Sequence, residues 1–168
     1  MSRMQFTGAG RLLFLPTLTD PNAPTVAELT GGTTVELTGA MRQDGLNRSQ
    51  EAALVDTATA LDLFDTTDIG TRSGRMELTL YRDSTDDDAW DALPIGTRGY
   101  FIVAPFGFTG ADDVTTGLPK PLTGDKIEVW QVAISNRSNA AIGKDTAQTF
   151  SVTCAVSSPP KDDVVIAA

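Results

Sequence analysis

Residues 73–94 read SGRMELTLYRDSTDDDAWDALP. Met76, Leu78 and Leu80 alternate with Glu77, Thr79 and Tyr81, the two-residue period of a strand with one buried face. The acidic run 83–88 breaks that period and opens a short helix. Aspartates near a helix start accept hydrogen bonds from free backbone N–H groups and complement the macrodipole. Trp90 and Leu93 lie three apart and share one face of the helix. Pro94 and then Gly96 end it. The stretch therefore predicts a strand that hands over to one small helix, which lays a tryptophan against the sheet. The other strands are read as built around this unit.

Working outward, the chain of 168 residues is long enough for one domain with a real core. Apolar residues are 40% and charged residues 21%, a globular and not a disordered composition. The net charge of -9 opposes nucleic-acid binding, because a polyanion is gripped by basic surfaces. Absence of histidine excludes His-based triads and His-ligated metal sites. The one cysteine, Cys154, alternates with Phe150, Val152 and Val156 and reads as a buried structural thiol. No apolar run approaches the ~20 residues of a membrane span. The expectation is a soluble protein made in a reducing cytoplasm.

Residues 12–15 suit either a short strand or an arm that packs on a neighbour. Residues 26–38 hold two strand-like pieces split by Gly31-Gly32. Residues 39–72 are a long excursion with extended segments and a turn at Gln43-Asp44-Gly45; alanines over 49–63 leave a helix as the alternative. Strands follow at 99–105, 125–134 and 147–157, and Pro159-Pro160 ends the last one. The fold class is mainly β: an antiparallel sandwich or barrel of six to eight strands with one short helix. The domain plan is an N-terminal arm over 1–25, a β-sandwich over 26–158 and a C-terminal tail over 159–168.

No site chemistry emerges. Asp86-Asp87-Asp88 lacks the alternating spacing and distal glutamate of a calcium loop. Walker A and G-x-S-x-G motifs are absent, and Gly8-Ala9-Gly10 lacks the third glycine of a phosphate cradle. The thirteen Lys and Arg residues form no basic stripe. No catalytic, cofactor-binding or metal-ligating residue is assigned, and the chain is read as a non-enzyme.

Four stretches carry a likeness. They are Asp56-Thr57 to Thr67 leading to Gly70 and Ser73-Gly74; 76–82 with its acidic turn, Trp90 and 93–99; DKIEVWQV at 125–132; and TAQTF at 146–150. In these the chain resembles the major tail tube proteins of long-tailed bacteriophages, in particular those infecting actinobacteria. The resemblance implies two packed antiparallel sheets flanked by a helix, with six subunits per ring. One sheet from each subunit would join a barrel around the lumen. Rings would stack into a tube that conducts DNA without binding it, in a virion tail assembled in the host cytoplasm. It also implies that the long loop and terminal arms bridge rings, and that tape measure, tail terminator and distal tail proteins are partners.

On that reading Glu36, Glu77 and Glu128 are candidates to face the lumen, each on the polar side of a strand-like run; the alternative is outer solvent. Asp44, Leu46, Leu54, Leu61 and Phe64 are candidates for the ring-stacking loop, and Trp90 with Leu93 for helix packing. A ligand- or receptor-binding β-sandwich, and a tail terminator or head–tail joining protein, stand as alternatives.

Overall fold

A computed structural model describes residues 10–58, 67–140 and 147–168. It contains strands β1 (Arg11–Leu15), β2 (Val35–Glu36), β3 (Met41–Asp56), β4 (Thr67–Tyr81), β5 (Arg98–Ala104), β6 (Lys126–Asn139), β7 (Thr149–Val156) and β8 (Lys161–Val165). Two helices join them, α1 (Val26–Leu29) and α2 (Asp88–Ala92). The strands form one antiparallel sheet in the order β2-β1-β5-β6-β7-β4-β3. β8 pairs with β6 along Lys126–Val129, ahead of the stretch that pairs with β7. The expected two layers are two halves of this one sheet, which folds back on itself across β6.

Residue alternation explains the bend. On β6, Trp130, Val132 and Ile134 face one core, while Ile127 and Val129 face a second. β5 and β1 do the same: Phe101, Val103, Leu12 and Phe14 enter the first core, and Ile102, Ala104, Leu13 and Leu15 the second. Strands buried on both faces read as continuous apolar runs, which is what 12–15 and 101–104 are. The first core is closed by Met76, Leu78 and Leu80 of β4 and by Phe150, Val152 and Cys154 of β7. Phe14 and Phe101 meet in it at a ring-centroid distance of 5.2 Å. The second core is closed by Leu29 of α1, Leu18, Phe108, Val164 and Ile166.

The strand-to-helix unit of 73–94 is present, with Met76, Leu78 and Leu80 fully buried. The aspartates work differently from the expected cap. Asp87 sits at the N-cap of α2 without a side-chain capping bond; its carboxylate pairs with Arg82 instead. Asp83 accepts from the Thr85 backbone N–H at 2.8 Å, so the acidic run is held as a turn. Leu93 is buried in the first core, and Trp90 packs against that core, edge-on to Phe150 at 5.0 Å. Arg82 and Arg137 stack on the Trp90 ring at 3.8 and 3.6 Å, an arrangement in which cation–π attraction adds to packing.

Three expectations are corrected. Residues 11–15 are not part of a terminal arm; β1 is an interior strand, held between β2 and β5, because four consecutive apolar side chains fill both cores. Residues 161–165 are not a tail but strand β8, with Val164 and Ile166 buried. Pro159-Pro160 interrupts an extended course along β6 that resumes after it. Residues 26–29 are helical and not extended. Thr25 and Glu28 form a capping box there, and hydrogen bonds from Thr19 and then Thr25 hold the Glu28 carboxyl down to about 2.

The long excursion is also regular. Residues 41–56 and 67–72 are strands of a hairpin, with a bulge at 42–45 where four residues of β3 face Thr79 alone. Gly45 is required there: a Cβ would lie 2.3 Å from the Thr79 carbonyl oxygen. Arg48 on β3 reaches across the folded sheet to Glu128 on β6 at 2.8 Å, and Trp130 Nε1 donates to the same carboxylate at 3.2 Å. This pair ties the outermost strand to the central one.

Replacing Trp90 by alanine removes the ring that Phe150, Arg82 and Arg137 all touch. The expected loss is about 3 kcal/mol, at the low end for aromatic truncation because the ring is only partly buried; thermal denaturation measures it. Charge reversal separates two glutamates. Glu128→Lys sets two cations together in a half-buried site and costs about 3 kcal/mol. Glu77→Lys loses only an exposed pair with Arg75 and shifts stability by less than about 1 kcal/mol. Equal melting temperatures for the two variants would refute the tie across the sheet.

Candidate functional site

The surfaces that remain open are sheet edges and one ribbon. β3 ends the strand order on one side and pairs only with β4. β4 pairs with β7 over Arg75–Tyr81, so among the described residues 67–74 run on beyond the body with β3 as their strand partner. The ribbon of 49–56 and 67–74 projects about 25 Å at the rise of an antiparallel strand. Where it leaves the body, Gly74 allows close approach of Val156, whose Cβ would be 3.0 Å from any Cβ at that position. Such a ribbon presents unpaired N–H and C=O groups, which are a template for pairing with another chain.

Among its described residues the outer part carries three exposed apolar side chains beside Asp56, Thr67 and Asp68. Leu54 and Ile69 are cross-strand partners, 70% and 58% exposed, and Val55 lies beside them at 49%. Leu54 is on the face of the ribbon that, nearer the body, carries Leu46 into the first core. Between them this face carries Arg48, Gln50 and Ala52 opposite Met76, Gly74 and Arg72, so Leu54 and Ile69 form a separate apolar patch beyond a polar stretch. Exposed apolar clusters of this kind mark association surfaces.

The candidates for ring stacking separate along this hairpin. Leu54 is at the exposed end. Asp44 is exposed in the bulge at the root. Leu46 packs against the first core and belongs to the body. Leu61 and Phe64 lie outside the described residues. Ile69 and Val55 were not among the candidates. The signal that could have found them is the cross-strand register of the hairpin, which a reading of the segment as a loop does not supply.

The three glutamates do not share a surface. Glu77 is on the outer face of β4, paired with Arg75. Glu128 shares the Trp130 face of β6, the side of the first core and not a polar side, and is engaged by Arg48. Glu36 stands opposite Leu13 on β2, hydrogen-bonded by Thr38, and lines a groove of about 260 Å³ under the loop that carries Phe108, Asp113 and Lys120. Within that loop Lys120 and Asp113 pair at 2.8 Å; the lysine, with Thr115 and Thr116 backbone bonds, holds the Asp113 carboxyl down to about 2. Burial pushes the Cys154 thiol up to about 12, so it is a packing group with negligible thiolate at neutral pH. Among the described residues, no cluster of Cys, Asp and Glu has metal-binding geometry. No helix among them is long and apolar enough to cross a membrane.

Comparison with known proteins bears on this open-edged antiparallel sheet and its projecting ribbon. No curated protein sequence matches the chain. Its fold is similar to a chain of the tail of an empty gene transfer agent particle solved with C6 symmetry: TM-score 0.53, 15% identity, 90% of this chain and 94% of that one covered. It is similar to a chain of the native gene transfer agent virion at TM-score 0.51 and 14% identity, with the same coverage. A chain of the sixfold-symmetrised anti-feeding prophage baseplate gives TM-score 0.52 at 10% identity over 96% of both chains. The model of one family, described as phage tail tube protein, matches residues 1–168, and the chain belongs to that family of structural tail proteins.

Proposed function

We propose that this chain assembles as six-membered rings that stack into a tail tube, the conduit through which the genome leaves the particle. The observation that carries the reading is the β3–β4 ribbon. It has open edges and an exposed Leu54–Ile69 pair, so its completion requires a second copy. Sixfold symmetry in two of the similar assemblies supports the ring number. A heterologous contact that closes on itself gives a ring, and it pairs the edges that would otherwise drive uncontrolled aggregation.

In the stacked tube the ribbon of one ring contacts the next, as a spoke between subunits. The tape measure, tail terminator and distal tail proteins are the proposed partners at the lumen and the two ends. DNA passes without specific binding. Of the three glutamates, Glu77 is assigned to the channel side in this proposal, supported by its position on the outer face of β4. Glu128 is committed to Arg48, and Glu36 to the groove below the 106–121 loop.

The test is a shortened hairpin. Replacing residues 52–72 by Asn-Gly joins Glu51 to Ser73, a cross-strand pair, through a two-residue turn suited to antiparallel strands. Both cores are left intact. The expected protein is folded, with a thermal midpoint close to that of the full chain, and forms no tubes by negative-stain microscopy under conditions where the full chain does. Normal tubes from the shortened chain would overturn the role of the ribbon.

A further inference from the structure

The groove that Glu36 lines carries an unmet charge. Its apolar walls come from Leu13, Leu29, Phe108, Leu118 and Pro119. Its one cation, Lys120, is taken by Asp113 at 2.8 Å. Glu36 accepts hydrogen bonds from the Thr38 N–H and hydroxyl and stays exposed. Arg11 acts on it electrostatically, yet Glu36 is in no ion pair among the described residues. The groove therefore sets apolar walls beside an open carboxylate. What complements it is an apolar side chain next to a free cation.

Such a pair stands at the start of β5. Residues 94–97 form a tight turn, in which the Thr97 N–H donates to the Pro94 carbonyl at 3.1 Å and Gly96, in third place, has a φ of 89°. The turn is clamped to β6: the Gly96 N–H donates to the Ile134 carbonyl at 2.9 Å, and the Ile134 N–H to the Thr97 carbonyl at 2.8 Å. Ile95 at its tip is 60% exposed. An apolar side chain already held in place loses little freedom on docking. Arg98 is exposed three residues on, and its guanidinium has no partner among the described residues. Ile69 and Arg72 have the same spacing, but Ile69 belongs to the ribbon's own patch with Leu54.

One chain cannot join the two features. Glu36 stands opposite Leu13, and Leu13 opposite Ile102. Arg98 is thus four residues along and two strands across from Glu36, about 17 Å between backbones at ordinary strand rise and spacing. Two copies placed head to tail can bring them together. Resting on the tube reading above, we infer that the Ile95–Arg98 turn of one subunit seats in this groove of a neighbouring subunit, with Ile95 against Phe108 and Leu118 and Arg98 on Glu36. The contact is separate from the ribbon.

Charge exchange tests it. Arg98→Glu and Glu36→Arg each set like charges against one another in the contact. Each variant should keep a thermal midpoint close to that of the full chain, and each should need about tenfold more protein to form tubes. The double variant should form tubes at the concentration the unaltered chain requires. Arg98 has no partner in its own chain, so Arg98→Glu carries the test if Glu36→Arg lowers the midpoint. Tube formation unimpaired by Arg98→Glu, or a folded double variant that does not recover, would overturn the inference. A second readout is cross-linking. Tubes of a chain carrying Ile95→Cys and Leu118→Cys should give disulfide-linked multimers on oxidation, with the buried Cys154 standing aside. Tubes without such links would overturn this contact and leave the tube reading standing. An unaltered chain that forms no tubes would overturn the tube reading, and this contact with it.

Discussion

Strand β6 hydrogen-bonds to β5, β7 and β8, and it sends Trp130, Val132 and Ile134 into one core and Ile127 and Val129 into the other. A strand with two apolar faces demands cover on both sides. The sheet meets one demand by folding β7, β4 and β3 over Trp130, Val132 and Ile134. It meets the other with α1, Phe108 and the β8 end over Ile127 and Val129. The Arg48–Glu128 pair and the Trp90 cluster sit at the margins of this double core and fix how the halves meet. Among the described residues that packing leaves open a short edge at β2, one at β8, a long edge at β3 and the ribbon.

The proposed assembly uses those edges. The exposed Leu54–Ile69 pair on the ribbon is unfavourable in water, and in that assembly another subunit covers it. Polymerisation then does for the edges what the double core does for the middle of the sheet. No part of this needs a catalytic group, and the cysteine buried against β4 is packing.

Much of the fold could be read from residue order, and the reasons differ by element. Residues 76–80 and 150–154 alternate cleanly because one face is buried and one is wet. The helix at 88–92 was visible from Trp90, Leu93 and Pro94. Residues 12–15 were ambiguous because a strand buried on both faces has no period. The prolines at 159 and 160 concealed a strand that resumes beyond them. The hairpin was hidden for a physical reason too: 49–58 meets solvent on both faces, so no hydrophobic alternation marks its strands. For the site, Leu54 was legible as a large apolar residue within the long excursion. Ile69 was not, because its role depends on a register set by the bulges. The glutamates were read alike because alternation gives a face relative to near neighbours and not relative to the folded sheet. Glu128 therefore appeared wet although it sits beside Trp130.

The central claim is that copies of this chain complete the open ribbon. Backbone amide hydrogen exchange over 49–56 and 67–74, compared between the free subunit and assembled tubes, tests it most directly. The account predicts rapid exchange of the outward-facing β3 amides in the free chain and strong protection in the tube, with little change at 126–134. Equal exchange of the ribbon in both states would contradict it.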